Sequence, residues 1–281
     1  MKIMLSKTFI LTLIVLFIGA GVVPSISSDI SSSYAGDTLY VGGSGAGNYT
    51  SIQIAIYAAN SGDTVFVYNG TYYEHISINK QIYLIGENRD TTIIDGYERG
   101  NVLEIFSNNC IIKGFSIQNG HIGIHIEKSS NNIISGNLIS NNYRGIYIAG
   151  EWTEPFKRHY SKNNTISNNV ISYNRGSNIF IGLSPQTNIY RNNITNCRDS
   201  TSTALVIYSH SHSSLISQNN FIINNKDAEF HTSYFCSWKG NYWDRPYLSP
   251  KLIYGFDFYG PFWIPKIDID WRPAQEPYDI P

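Results

Sequence analysis

The 281-residue chain is poor in charge: Asp, Glu, Lys and Arg supply 15% of it, and the formal net charge is -1. That excludes the basic surface of a nucleic-acid binder and the solvated tail of an acidic protein. Cysteine is scarce too, with 3 residues (Cys110, Cys197, Cys236) and no Cys-x-x-Cys spacing. An odd, sparse count excludes a disulfide framework and leaves small buried residues as the plain reading. Only 2 Met occur, both at the N-terminus, and no Asp at all lies between Val102 and Thr195. What the chain does have is aromatic: 14%, including 21 Tyr. Such a composition suits a folded chain, and the length fits one large β-type domain.

Long apolar runs are absent except at the start. Lys2 and Lys7 precede "TFILTLIVLFIGAG", and "SISSDISSSYAG" follows. A charged start, an apolar stretch and a small-residue exit make residues 1–35 a secretory signal peptide and linker. The alternative is an uncleaved N-terminal anchor, the one case in which a membrane is a partner. Either reading places the rest outside the cytoplasm, secreted or at the cell surface.

The remaining pattern is repetition. "GIHI", "GIYI", "NIFI" and "ALVI" end at Ile126, Ile148, Ile181 and Ile207, in steps of 148 − 126 = 22, 181 − 148 = 33 and 207 − 181 = 26. A second column runs through Phe115, Asn137, Asn169, Asn193, Asn220 and Asn241, with steps of 22, 32, 24, 27 and 21. Each apolar run is short, rich in Ile and Val, and bounded by Asn, Ser or Gly, which reads as strand and turn. A strand this short buries its face only by stacking on the next copy. The expectation is an all-β solenoid, a single-stranded parallel β-helix with asparagine at its corners.

Cap and first coils would occupy 36–100, regular coils 101–235 and a C-terminal cap 236–281, all one domain. Ser51 can N-cap a short helix, Ile52 to Ala59, as the N-terminal lid, followed by strands at "TVFVY", "HISI", "IYLIG" and "TTIID". The aromatic-rich stretch from Trp238 reads as the other lid.

The block "SIQIAIYAANSGDTVFVYNGTYYEHISINKQIYLIGENRDTTIIDG", the "NN-x-I-x-x-N" corners and "GNYW" resemble the NosD-type and related parallel β-helix repeat proteins. The resemblance covers the chain from about Asp37 into the C-terminal cap. It implies a right-handed, pectin-lyase-like helix, exported, and either carbohydrate-binding or sugar-cleaving; NosD itself is linked to copper delivery to nitrous-oxide reductase. Such a scaffold does not settle function.

Alternation turns Ile124 and Ile126 inward and His125 outward, so His125, Tyr147 and Phe180 would form a flat aromatic strip, with Val206 next in the column. Sugar rings stack on such strips; the plainer reading is that a loop covers this one. The long interval falls in "AGEWTEPFKRHYSK", Ala149 to Lys162, which crowds Glu151, Trp152, Glu154, Lys157, Arg158, His159 and Tyr160 into one excursion. Two coils later the same turn carries His210 and His212, so both should emerge on one side.

Three readings follow. Trp152, Arg158, Tyr160 and the strip bind a polysaccharide or surface glycan, with no cofactor required. Alternatively Glu151 and Glu154, with His159, supply acid–base chemistry for a hydrolase, or carboxylates hold Ca²⁺ for a lyase. Thirdly, His210 and His212 hold Cu²⁺. Pectinolytic hydrolases of this fold carry aspartates on neighbouring coils; the coils from Val102 to Thr195 have none, and Asp95, Asp199, Asp227 and Asp244 are scattered, so no catalytic residue carries over. Glycan binding without catalysis is the expectation.

Sequons at Asn48, Asn69, Asn163 and Asn193 are glycosylation candidates. "CIIKGF" aligns with "CSWKGN", which puts Cys110 and Cys236 at equivalent places five coils apart, about 24 Å by the stacking rise and too far to pair.

Overall fold

A run of three residues has no stable face of its own, and the coils solve this by repetition. Ile111–Lys113, Ser116–Gln118 and Ile122–Glu127 form one coil; Ile133–Ser135, Leu138–Ser140 and Arg144–Ala149 form the next. Each strand pairs in parallel with its counterpart in the following coil. The result is a β-helix with a first, second and third wall, named in chain order within the coil. The computed structural model describes residues 36–154, 157–197, 199–259 and 262–280, within one unit, Tyr34–Pro281. Residues 1–35, assigned to the signal segment and linker, and the side chain of Glu154 lie outside the described residues.

Ile126, Ile148, Ile181 and Ile207 stack in register on the third wall, all at 0% exposure. They are the interior column that the repeat implies.

The corner between first and second walls is an asparagine ladder. Backbone N–H groups of Phe115, Asn137, Asn169, Asn192 and Asn219 donate to side-chain oxygens of Asn137, Asn169, Asn192, Asn219 and Asn241, one coil on, at 3.0–3.1 Å. The column therefore runs through Asn192 and Asn219. Asn193 and Asn220 stand one residue later, at the start of second-wall strands. In a doubled asparagine the pattern does not say which amide turns inward. The backbone decides: Arg191 (φ 53°) and Gln218 (φ 55°) take the left-handed turn position, so the next residue points in.

The cysteine geometry holds. Cys110 N–H donates to Asn132 Oδ1 at 2.8 Å. Strand registers lead from Ile111 through Ile133, Thr165, Asn188 and Leu215 to Ser237, which puts Cys236 in the same column. All three cysteines are free. Burial pushes the thiols of Cys197 and Cys236 up to about 11 and about 12.

Both ends are closed. The helix Ile52–Ala58 buries Ile52, Ala55 and Ile56, with Ser51 as its N-cap. Glu74, from the next coil, accepts from the N–H groups of Ile52 and Gln53, both at 2.9 Å. At the other end Lys251–Tyr259 and Phe262–Asp270 form an antiparallel hairpin. Its first strand adds to the third wall at His231↔Phe256, and its last residue adds to the first wall at Trp238↔Asp270.

The long coil is explained by one insertion. Glu127 and Ala149 are register partners, while Ser129 N–H donates to Ser161 Oγ at 3.3 Å. Lys128 alone fills in one coil what residues 150–160 fill in the next. Ten of those extra residues account for the 32-residue step.

Candidate functional site: the third wall and its flanking turn

Outward positions of the third wall fall into two neighbouring columns. In the first, Glu104, His125, Tyr147, Phe180, Val206 and Glu229 follow one another. In the second, two residues on, come Glu127, Ala149, Gly182, Tyr208, His231 and Phe256. The aromatic side chains change column midway. Tyr147 and Phe180 stack at 4.8 Å and 13°. Phe180 next meets Tyr208 at 5.9 Å, because Gly182 has no side chain: a Cβ there would sit 3.1 Å from Phe180 Cε1. Tyr208, His231, Phe258 and Trp263 continue the line at 5.8, 6.2 and 4.7 Å.

The strip is thus longer than expected and not flat. His125 tilts 56° from Tyr147, and Phe180 lies 32° from Tyr208. The right-handed twist between successive strands rotates each ring against the last. His125, Tyr147 and Phe180 are half-buried; Tyr208 is 40% exposed and Trp263 63%. The guanidinium of Arg144 lies 5.2 Å from the Tyr147 ring and 5.6 Å from that of Phe180.

The insertion forms a small hairpin, Glu151–Glu154 against Lys157–His159. Trp152 and Arg158 face each other across it, the guanidinium 4.2 Å from the ring centroid. Trp152 is 50% exposed and meets His210 edge-on at 5.8 Å, two coils away. Both excursions do emerge on one side. The hairpin leans toward the turn two coils on, where Trp152 meets His210. Arg158 Nη1 donates to Tyr160 Oη at 3.5 Å. His210 and His212 lie 5.4 Å apart, and His212 stacks on Tyr234 at 5.1 Å. Burial first, and the Arg158 charge second, lower the pKa of both imidazoles.

These positions bear on the other chemistries. Glu151 accepts from Lys128 Nζ at 2.9 Å and faces His159 across the hairpin. His212 Nδ1 accepts from the Tyr234 N–H at 2.9 Å, so one ring nitrogen is occupied. Among the described residues no group of three or more His, Cys, Asp or Glu could hold a metal ion. Of the sequons, Asn69 and Asn163 are exposed, Asn163 at a left-handed corner of φ 54°. Asn48 donates to Gly42 O at 2.6 Å, and Asn193 donates to Ile280 O at 3.3 Å in the C-terminal tail.

Two carboxylate–imidazole pairs lie along the strip, one at its start and one within it, and were not singled out from sequence. Glu104 lies 3.6 Å from His125 and accepts from Asn101 at 2.8 Å. Glu229 lies 3.4 Å from His231 and accepts from Lys226. His231 chiefly, with Lys226, holds the Glu229 carboxyl down at about 2 against the effect of burial. Strand parity would have found Tyr208, two residues after Val206. Its stacking depends on Gly182 in another coil, which parity does not show.

The profile of the family described as "Right handed beta helix region" matches residues 26–234. Comparison with curated protein sequences gives no match. Among solved structures, the chain is similar to the pectate lyase Pel9A: 15% identity, 71% of this chain and 70% of that one covered, TM-score 0.50. Escherichia coli YbhC is also similar, at 11% identity, with 73% and 74% covered and a TM-score of 0.51. These likenesses concern the fold.

Proposed function

The chain belongs to the right-handed β-helix family, and from that premise we propose an exported protein that binds a glycan along its third wall without cleaving it. The observation that carries the reading is the aromatic line from His125 to Trp263, unbroken across the coils through its sidestep at Gly182. Pyranose rings present apolar faces that stack on such rings, and successive coils repeat at the roughly 4.8 Å strand spacing. The Trp152–Arg158 pair and Tyr160 flank the strip on one side and supply polar contacts for sugar hydroxyls. Export rests on the apolar N-terminal segment behind Lys2 and Lys7.

The carboxylates support binding over cleavage. Glu104, Glu151 and Glu229 are each engaged by a cationic or amide neighbour. Hydrolysis needs two carboxyl groups roughly 5–9.5 Å apart across a scissile bond, and Glu104 and Glu229 stand five coil steps, about 24 Å, apart along one column.

A glycan array with the mature protein, followed by a reducing-end assay on every ligand bound, tests this. Binding without release of reducing ends is expected. The Phe180→Ala, Tyr208→Ala double variant should lose about tenfold or more in affinity, the worth of two stacking rings. Release of new chain ends would establish an enzyme instead. An array with no hits, or a double variant that binds as well as wild type, would remove the strip from the account.

A further inference from the structure

A groove runs along the corner where the second wall turns into the third. It encloses about 500 Å³ and is lined by Glu98, His121, Asn141, Tyr143, Tyr173 and Arg175, among others. The backbone here is left-handed in successive coils, at Asn119 (φ 58°), Asn141 (φ 57°) and Tyr173 (φ 55°). Asparagine adopts that conformation readily; an aromatic residue seldom does. The consequence is a tyrosine ring projecting from the corner, 58% exposed.

A stack of rings begins in the groove and stops. His121 and Tyr143 lie 5.0 Å apart and parallel within 5°. The next residue in that column is Arg175, whose N–H donates to Asn142 O at 3.0 Å just as that of Tyr143 donates to Gly120 O; Gly176 follows it, and its N–H donates to Tyr143 O at 2.6 Å. A Cβ there would stand 3.6 Å from Tyr143 Cζ, so a larger residue would cover the ring; glycine leaves Tyr143 45% exposed.

The floor's polar groups are already satisfied. Gly120 N–H donates to Asn142 Oδ1 at 2.9 Å, and Asn142 Nδ2 donates to Ser140 O at 3.0 Å. Selectivity must therefore come from the rim. Arg175 is exposed there and, among the described residues, has no ion-pair partner. Glu98 stands at the opposite end, three coil steps or about 14 Å away.

We propose that this corner groove binds a sugar-sized ring carrying a single oxyanion, a carboxylate, sulfate or phosphate. The ring lies against Tyr143 and Tyr173, and the Arg175 fork holds the oxyanion, for which its planar pair of donors is suited. Glu98 repels a second negative charge at the other end and accepts from hydroxyls. Arg144 stands between this groove and the third-wall strip, its guanidinium 5.6 Å from the Tyr143 ring and 5.2 and 5.6 Å from those of Tyr147 and Phe180.

The test is an NMR titration of the ¹⁵N-labelled protein with glucuronate, glucose 6-sulfate, glucose 6-phosphate and neutral glucose. At least one anionic sugar should shift the amide signals of Gly120, Tyr143 and Arg175. Neutral glucose should bind about tenfold more weakly, as should the anion to Arg175→Gln, each losing one charge-assisted contact. Tyr143→Ala should weaken binding likewise, while Tyr208→Ala, which changes the third-wall strip without touching Arg144, binds as wild type. Which anion binds identifies the source of the oxyanion. No shift with any of the three, equal binding of glucose, or an unaffected Arg175→Gln protein would overturn the proposal.

Discussion

Asn169 shows what holds a coil to its neighbours. Its amide is fully buried, and its oxygen accepts from Asn137 N and Nδ2 while its nitrogen donates to Ile134 O and Asn192 Oδ1. Alanine would strand the buried Asn137 N–H and take a donor from Ile134 O, while Asn137 Nδ2 keeps Ile112 O and Ser135 O and Asn192 Oδ1 keeps the residue's own N–H. Asn169→Ala should cost about 2–4 kcal/mol, read as a lower urea midpoint at unchanged slope. A loss under about 0.5 kcal/mol would show that water or backbone adjustment replaces the amide. That asparagine marks the corners was legible in the sequence. Which member of each pair turns inward was not, because both amides have the same chemistry and only the backbone torsion before them differs.

The insertion hairpin illustrates how elements divide labour. Residues 150–160 attach at Ala149 and Ser161, and Ser161 Oγ donates to Ala149 O at 2.8 Å across the base. The neighbouring coil closes the same gap with Lys128, so the core does not need the hairpin. Replacing residues 150–160 with a single lysine should keep the melting temperature within a few degrees, since surface loops contribute little to core stability. The same variant should bind the third-wall glycan less tightly and leave the corner groove untouched. A large fall in melting temperature would mean that Trp152 against His210 is a structural prop. The place and length of this excursion were readable as one long repeat interval. Its direction, leaning across to the His210 turn, came from packing between residues more than fifty positions apart.

For the whole molecule, a stack of coils is only as sound as its ends. The asparagine ladder does not stop in solvent: Asp270 Oδ2 accepts from Asn241 N, Asn241 Nδ2 and Trp243 Nε1 at 2.9, 3.1 and 3.2 Å, and Oδ1 accepts from Gly240 N at 3.0 Å. Asp270→Ala should cost about 3 kcal/mol or more, by orphaning these donors beneath the C-terminal hairpin. Asp270→Asn, which keeps two acceptor lone pairs, should cost less. Chemical denaturation of both variants checks the order; equal losses would mean that hairpin packing, and not the carboxylate, seals the end. A ladder of asparagines ending on an aspartate 29 residues beyond the last of them has no local pattern to betray it.

By itself the sequence determined the repeat, the strand parity, the helical lid and the asparagine chemistry of the corners, because each depends on alternation and turn chemistry within a few residues. Only the tertiary structure decided which rings meet, where Gly182 and Gly176 open space beside them, and which carboxylates are engaged. Those contacts join residues one or more coils apart, and their geometry is set by the stacking of backbones that local propensity cannot see.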